Sequence, residues 1–262
     1  MSQIDINTFI GAYPWRDVGP ANADDLLREM LRCGSSAAWV SHLAAMFRYD
    51  PMASNAELYA MHYRDARLHP VPAVHPGLPG WEAALDEAID RNAPAVRADP
   101  MFYGLAPAGD EMRRLVAACA EHGIPLMIAV RLEDIRQRHP NDRAGDLPSW
   151  AVRQLVRSHP DVRLIITHAD REFVEQVHFG STPAEASRIL WDICWIWGPP
   201  EDHLELLLRT VGPDRFAFGT GMPLRLPEAA LAKVDLLNLD VASRERLVAG
   251  NVGHFVRVDP SA

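Results

Sequence analysis

Six polar residues stand at the ends of short apolar runs: His42, His75, Arg97, Arg131, His168 and Asp192. An apolar segment gives no reason for a charge at its end, whereas a common mouth onto which such segments open would account for all six. His168 follows Leu164-Ile165-Ile166-Thr167, and an imidazole with an ordinary pKa near ~6.5 acts as acid or base close to neutrality. Asp192 lies within Ile189-Leu190-Trp191-Asp192-Ile193-Cys194-Trp195, where an unpaired charge is costly. It requires a partner, such as Arg97 or Arg131, or is a base whose pKa burial raises. Arg97 and Arg131 offer planar donors suited to a carboxylate or a developing oxyanion. His168 and Asp192 as proton carriers, with Arg97 and Arg131 as anion holders, form the candidate catalytic set. Asn7, Arg16, His42, His75, Asp134 and Trp195 are candidates for binding the substrate.

Each assignment has a structural alternative. His42 and His75 fit equally as hydrogen-bonded loop residues, Arg131 could pair with Glu133 or Asp134, and Arg97 could bridge to Asp99. Trp195 suits the wall of a pocket for a flat ligand or plain core filling. Asp134 to His139 reads as a lid or as a solvated charged loop.

These residues meet only if the chain brings its strand ends together. Apolar runs at Ile4 to Phe9, Ala37 to Ser41, Val71 to His75, Ala95 to Arg97, Leu126 to Val130, Leu164 to Thr167, Ile189 to Ile193 and Phe216 to Gly219 alternate with amphipathic stretches. Eight such βα units predict a closed (β/α)8 TIM barrel, with strands continuously apolar because they are covered on both faces. Helices are expected at Ala23 to Cys33, Trp81 to Arg91, Glu111 to His122, Pro148 to Ser158 and His203 to Val211. Gly34 and Gly123 stop two of them, and Ser243 to Phe255 closes the chain. Leu26, Leu27, Met30 and Leu31 mark the apolar stripe of the first helix. Two long loops, Gly11 to Ala21 and Arg131 to Leu147, leave strand C-termini, where barrels build their active face. No linker interrupts the array, so residues 1–262 read as one domain.

The opening Ile4-Asp5-Ile6-Asn7-Thr8-Phe9-Ile10-Gly11 resembles the Ile-Asp-x-His-x-His-x-Gly start of the amidohydrolase superfamily, in its amidohydrolase-related decarboxylase and lactonase branch. Gly123 to Ile128 is similar to that family's fifth strand, Leu164 to Ala169 to its sixth, Asp214 to Pro223 to its eighth, and Gly250-Asn251-Val252 to its ending. The resemblance implies a metal held by two histidines of the first strand, one ending the fifth and an aspartate ending the eighth. Those positions read Asn7, Phe9, Ala129 and Gly221, and a catalytic zinc needs about three His, Asp or Glu ligands. The expectation is a degenerate metal site with no metal and no other cofactor. Zinc or manganese would enter only if His42, His75, His168 and Asp192 converged.

The resemblance implies hydrolysis, decarboxylation or related proton transfer on a small carboxylate-bearing substrate. The alternative is a non-catalytic barrel that binds a metabolite or a partner. The formal charge of -9 argues against nucleic acid and anionic membranes as partners. The N-terminal residues carry no export signal, no apolar run reaches the ~20 residues of a membrane span, and Cys33, Cys119 and Cys194 form no CxxC pair, which together place the chain in a reducing cytoplasm. A homodimer is expected by resemblance alone.

Overall fold

Strands that are apolar on both faces need cover on both faces, and in the structure they are ringed by helices. The structure is a computed structural model that describes residues 3–19 and 22–256. Among the described residues the parallel strands are β1 (Ile4–Ile10), β2 (Ala37–His42), β3 (Leu68–Pro70), β4 (Val96–Arg97), β5 (Leu126–Ala129), β6 (Leu164–Thr167), β7 (Ile189–Asp192) and β8 (Phe216–Ala217). The ladders run β1-β2-β3 and β4-β5-β6-β7-β8. Single bridges join the two sheets at both seams, Thr8 with Met222 and Ala73 with Arg97. Backbone bonds reinforce them: Phe9 N–H to Met222 O (2.9 Å), Gly221 N–H to Asn7 O (2.8 Å) and Val74 N–H to Arg97 O (2.8 Å). The architecture is the expected TIM barrel, and all strand C-termini point to one mouth.

Alternation along the strands sorts side chains into two cores. Leu126, Ile128, Leu164, Ile166 and Trp191 face the helices, whereas Met127, Ile165, Leu190 and Ala217 fill the barrel interior with Ile6 and Trp39. The next inward residues toward the mouth are Thr167 and Asp192, so the interior changes from apolar to polar within one layer. The register of β1 against β2 shifts between Asp5 and Thr8. An irregularity of this kind re-aims side chains, and here Ile6 joins the inner apolar layer while Asn7 reaches the polar one.

The third strand departs from the expected Val71 to His75. It pairs with β2 at Leu68–Pro70, and Val71 N–H still reaches Val40 O (2.8 Å), but at Ala73 the Asn55 side chain takes both the N–H and the C=O (2.8 Å each), which ends the ladder. Beyond Pro72 the chain turns to β4 instead. The helix Ala23–Cys33 has the expected bounds, with Asn22 accepting from Asp25 N–H and Gly34 at φ 71°. Leu26 and Met30 are buried, but Leu31 is solvent-facing, off the expected stripe. The last helix runs from Val241 to Val256 through a wider turn at Arg246–Gly250. From it Asn251 donates to the carbonyls of Pro213 and Phe216, both at 2.8 Å, and pins the base of β8. Pro20 and Ala21 of the first long loop and the chain ends, including Met1 and Ser2, lie outside the described residues. Among the described residues no helix is long and apolar enough to cross a membrane.

Leu126 is fully buried between sheet and helices. Leu126→Ala should therefore cost about 2–5 kcal/mol through lost transfer energy and a residual cavity, read as a shifted urea-unfolding midpoint. A loss below about 1 kcal/mol would contradict this packing.

Candidate active site at the barrel mouth

The polar layer is organised by two buried carboxyl groups. Asp5 accepts from Asn7 N–H (3.1 Å), Thr220 N–H (3.0 Å) and the Thr220 hydroxyl (2.6 Å), which ties β1 to the segment after β8. Burial outweighs these donors and raises its pKa to about 7. Asp192 accepts from His168 N–H (3.0 Å) and from the Asn7 amide (2.6 Å). Its partners are therefore an amide and a backbone N–H, not the arginines expected from sequence. Burial also lifts its carboxyl above the usual range, against the Cys194, Asn7 and His168 hydrogen bonds that lower it.

His168 is fully buried with φ 60°, a left-handed conformation unusual for a side-chain-bearing residue. Its Nδ1 lies 3.2 Å from the Thr167 hydroxyl and 3.4 Å from the Asn7 amide nitrogen, while Nε2 has no partner among the described residues. Burial, then the charges of Arg97, Arg225 and Arg131, hold its pKa well below the usual value, so the imidazole is neutral. Arg97 is enclosed too. One Nη donates to Asn7 Oδ1 (3.1 Å), and the guanidinium lies 4.8 Å from the Phe9 ring centroid. It makes no ion pair with Asp99, whose Oδ1 accepts from Ala129 N–H (2.9 Å), and it reaches Asp192 only through Asn7.

Other expected residues are placed elsewhere. Arg131 is held by Asp146 (2.9 Å) and Asp170 (2.7 Å) rather than by Glu133 or Asp134. Asp134 is bound to Arg136 within its own loop. His42 accepts from Ala44 N–H (3.1 Å) at a helix start and meets Glu57 (3.0 Å). His75 stacks on Tyr103 (4.1 Å) beside a separate 360 Å³ cavity lined by Tyr49, Met52 and Trp81. The set His42, His75, His168 and Asp192 thus does not converge, because the first two rings are engaged at the rim. Arg16 pairs with Glu133 (2.7 Å), and Trp15 stacks on His139 (4.8 Å), so the two long loops meet each other. Tyr13, Leu132 and Leu224 pack with Phe9 and Ala129 beneath them.

Two residues of the site were not singled out from sequence. Cys194 joins His168 and Asp192 in a group whose ligand atoms lie within 4.8 Å of one another. The signal was present: Asp192 and Cys194 are two apart, and alternate residues of an extended chain share a face. Arg225, after β8, lies over Trp195 with its guanidinium carbon 3.3 Å from the ring centroid. Its Nε is buried without a hydrogen-bond partner, and among the described residues no carboxylate lies within ion-pair reach. A loop position carries no periodic signal that would have found it.

Asp5 gives a pH test. An unfolded aspartate titrates near ~3.9, so between about pH 4 and 7 the unfolded chain releases a proton that folded Asp5 keeps. Its contribution to stability is full below about pH 4 and is lost as pH rises toward 7. Asp5→Asn should flatten that part of the stability profile measured by urea unfolding; equal slopes in both proteins would refute the assignment.

Comparison with known proteins agrees with the barrel. The amidohydrolase family matches residues 50–252, and no curated protein sequence matches. A 2,6-dihydroxybenzoate decarboxylase in complex with 2,6-dihydroxybenzoate has the same fold, with TM-score 0.78, 12% identity and coverage of 98% of this chain and 99% of that one. A dihydroxybenzoic acid decarboxylase from Polaromonas sp. JS666, with bound manganese and the inhibitor 2-nitroresorcinol, gives 0.74, 12%, 97% and 96%. A probable 2-pyrone-4,6-dicarboxylic acid hydrolase from Acinetobacter baumannii with citric acid bound gives 0.66, 11%, 98% and 99%. The manganese in the Polaromonas neighbour points to a metal rather than to none, against the expectation of no cofactor for this chain. In this chain the orphaned His168 Nε2 and the close grouping of His168, Asp192 and Cys194 fit a cation, although Asn7, Phe9, Ala129 and Gly221 do not. By the match across most of its length, the chain belongs to the amidohydrolase family.

Proposed function

We propose that the mouth decarboxylates a small, flat, carboxylate-bearing compound. The observation that carries this reading is Arg225: a half-buried, unpaired guanidinium lying over Trp195, whose ring is 5.9 Å from that of His168. A guanidinium without a counter-ion beside an aromatic face suits an anionic, planar ligand, because the carboxylate supplies the missing acceptor and the ring a stacking surface. The relatives named above, which include decarboxylases of dihydroxybenzoic acids, support the same substrate chemistry.

In this reading Arg225 and Trp195 seat and orient the substrate. Arg97 positions Asn7, and Arg131 anchors its own loop. As the bond to the carboxyl carbon breaks, its electron pair stays on the ring carbon, carbon dioxide leaves, and a proton must reach that carbon. Asp192 is the proton carrier of this reading, since burial raises its pKa. His168 stays neutral, the state in which an imidazole serves as a ligand. A divalent cation held by His168, Cys194 and the deprotonated form of Asp192 would draw off charge developing on the substrate. Full burial of His168 and Asp192 excludes bulk water, which favours loss of carbon dioxide over hydrolysis. The loops joined by Arg16–Glu133 and Trp15–His139 must open for entry.

The test is carbon dioxide release from a panel of hydroxybenzoates and related aromatic acids, with divalent metal supplied. Arg225→Gln should raise KM about 10–100-fold through loss of a charged hydrogen bond, and Arg225→Lys should recover part of it. No release from any acid, or an unchanged KM in Arg225→Gln, would defeat the proposal.

A further inference from the structure

The donors grouped at the mouth are not those the family's first, fifth and eighth strands would supply. They come from the ends of β6 and β7, as an imidazole, a carboxyl and a thiol within 4.8 Å of one another. Three observations point to a ligand among them. His168 Nε2 is buried and has no partner among the described residues. Gly221 leaves space beside it: a β-carbon there would stand 3.3 Å from His168 Nε2 and 3.5 Å from Cys194 Sγ. The Asn7 amide nitrogen lies 2.6 Å from Asp192 Oδ2, 3.4 Å from His168 Nδ1 and 3.7 Å from Cys194 Sγ. The Asn7 amide thus stands against Asp192, Cys194 and the Nδ1 edge of the His168 ring, while the unpartnered Nε2 faces the space at Gly221.

We infer that His168, Asp192 and Cys194 form a divalent-cation site that prefers thiophilic zinc or cobalt to manganese, and that the Asn7 amide must swing aside to admit the ion. A tetrahedral ion with bonds of about 2.0–2.3 Å separates its ligand atoms by about 3.3–3.8 Å, so contraction by roughly an ångström from the present grouping suffices. On binding, the Cys194 thiol proton and any proton on Asp192 leave to solvent, and metal–sulfur and metal–carboxylate bonds form. With three protein donors a fourth position stays open, as catalytic sites require.

The preference follows from the surrounding charge. Lys233 Nζ donates to the carbonyls of Ile193 and Cys194, both at 2.9 Å, and Arg97 and Arg225 lie close by. These cations offset the negative charge of the ligands, so a hard ion held mainly by charge gains little. An ion that bonds strongly to sulfur and nitrogen is retained. Asn7 competes for Asp192 through its short hydrogen bond, which places a further cost on entry of any ion.

The inference deepens the proposed function, but binding alone reads it, so it can fail while the Arg225 result stands, or stand while that result fails. The purified protein is titrated with cobalt(II) and followed by absorbance, then challenged with zinc and with manganese in calorimetry. One cobalt per chain is expected, with a near-ultraviolet sulfur-to-cobalt charge-transfer band. Zinc should bind at least 10-fold tighter than manganese. Cys194→Ser should abolish the band, Cys194→Asp should shift the preference toward manganese, and Asn7→Ala should tighten zinc binding several-fold, each variant first checked for a wild-type circular dichroism spectrum. The inference is overturned by manganese binding as tightly as zinc, by a band that persists in Cys194→Ser, by the absence of binding, or by Asn7→Ala binding zinc no better than wild type.

Discussion

A carboxyl group enclosed at the centre of a barrel must find donors from the protein itself, and Asp192 finds them in Asn7 and the His168 backbone. That requirement orders much of the mouth. Asn7 spans two neighbours of unlike charge, giving its nitrogen to Asp192 and its oxygen to Arg97. This fixes which way the amide faces and lets one neutral side chain connect a buried cation to a buried acid. Asp5 does the corresponding work one step lower, collecting donors from Asn7 and Thr220 across the seam between β1 and the chain after β8. The seam that closes the barrel and the network that holds the site are therefore the same set of bonds.

Access depends on weaker contacts. Arg16–Glu133 is half exposed on the arginine side, and such pairs contribute about 0–1 kcal/mol. The Trp15–His139 stack adds about 0.5–1.5 kcal/mol if it behaves as an aromatic pair. Together these are small beside the burial of Phe9, Tyr13 and Leu132 below them. The loops can part at their outer contacts while the floor they rest on stays packed, the division of stability expected where a site must both exclude water and admit a ligand.

Much of the scaffold was legible because it is set by local rules. Continuous apolar runs announced β5, β6 and β7, and an asparagine cap with a terminal glycine bounded the helix Ala23–Cys33. The third strand was misplaced because hydrophobicity does not register that the Asn55 side chain takes over the backbone groups of Ala73. At the site, strand-end logic brought His168 and Asp192 together but could not tell how far each neighbouring group would reach. His42 and His75 end up engaged at the rim, and Arg131, although beside Trp195, gives its donors to Asp146 and Asp170. Cys194 was discounted because cysteines were judged by their spacing from one another, whereas its partner in space is Asp192, two residues before it at the end of β7.

Gly219 and Gly221 explain why the departures from the family's ligand pattern belong together. A β-carbon on Gly219 would stand 3.0 Å from Asp192 and 3.2 Å from the Asn7 β-carbon, too close without movement of one of them. One on Gly221, where φ is 72°, would press on His168 Nε2 and Cys194 Sγ and strain the backbone as well. An aspartate at position 221, as the family resemblance implies, would therefore fill the space that Nε2 and Sγ now face. Glycine at 221 leaves room on the β6 and β7 side, where His168 and Cys194 face it. Where the resemblance would place ligands on three strands, this chain holds Asn7, Phe9, Ala129 and Gly221, above a barrel held by Asp5 and the apolar layer.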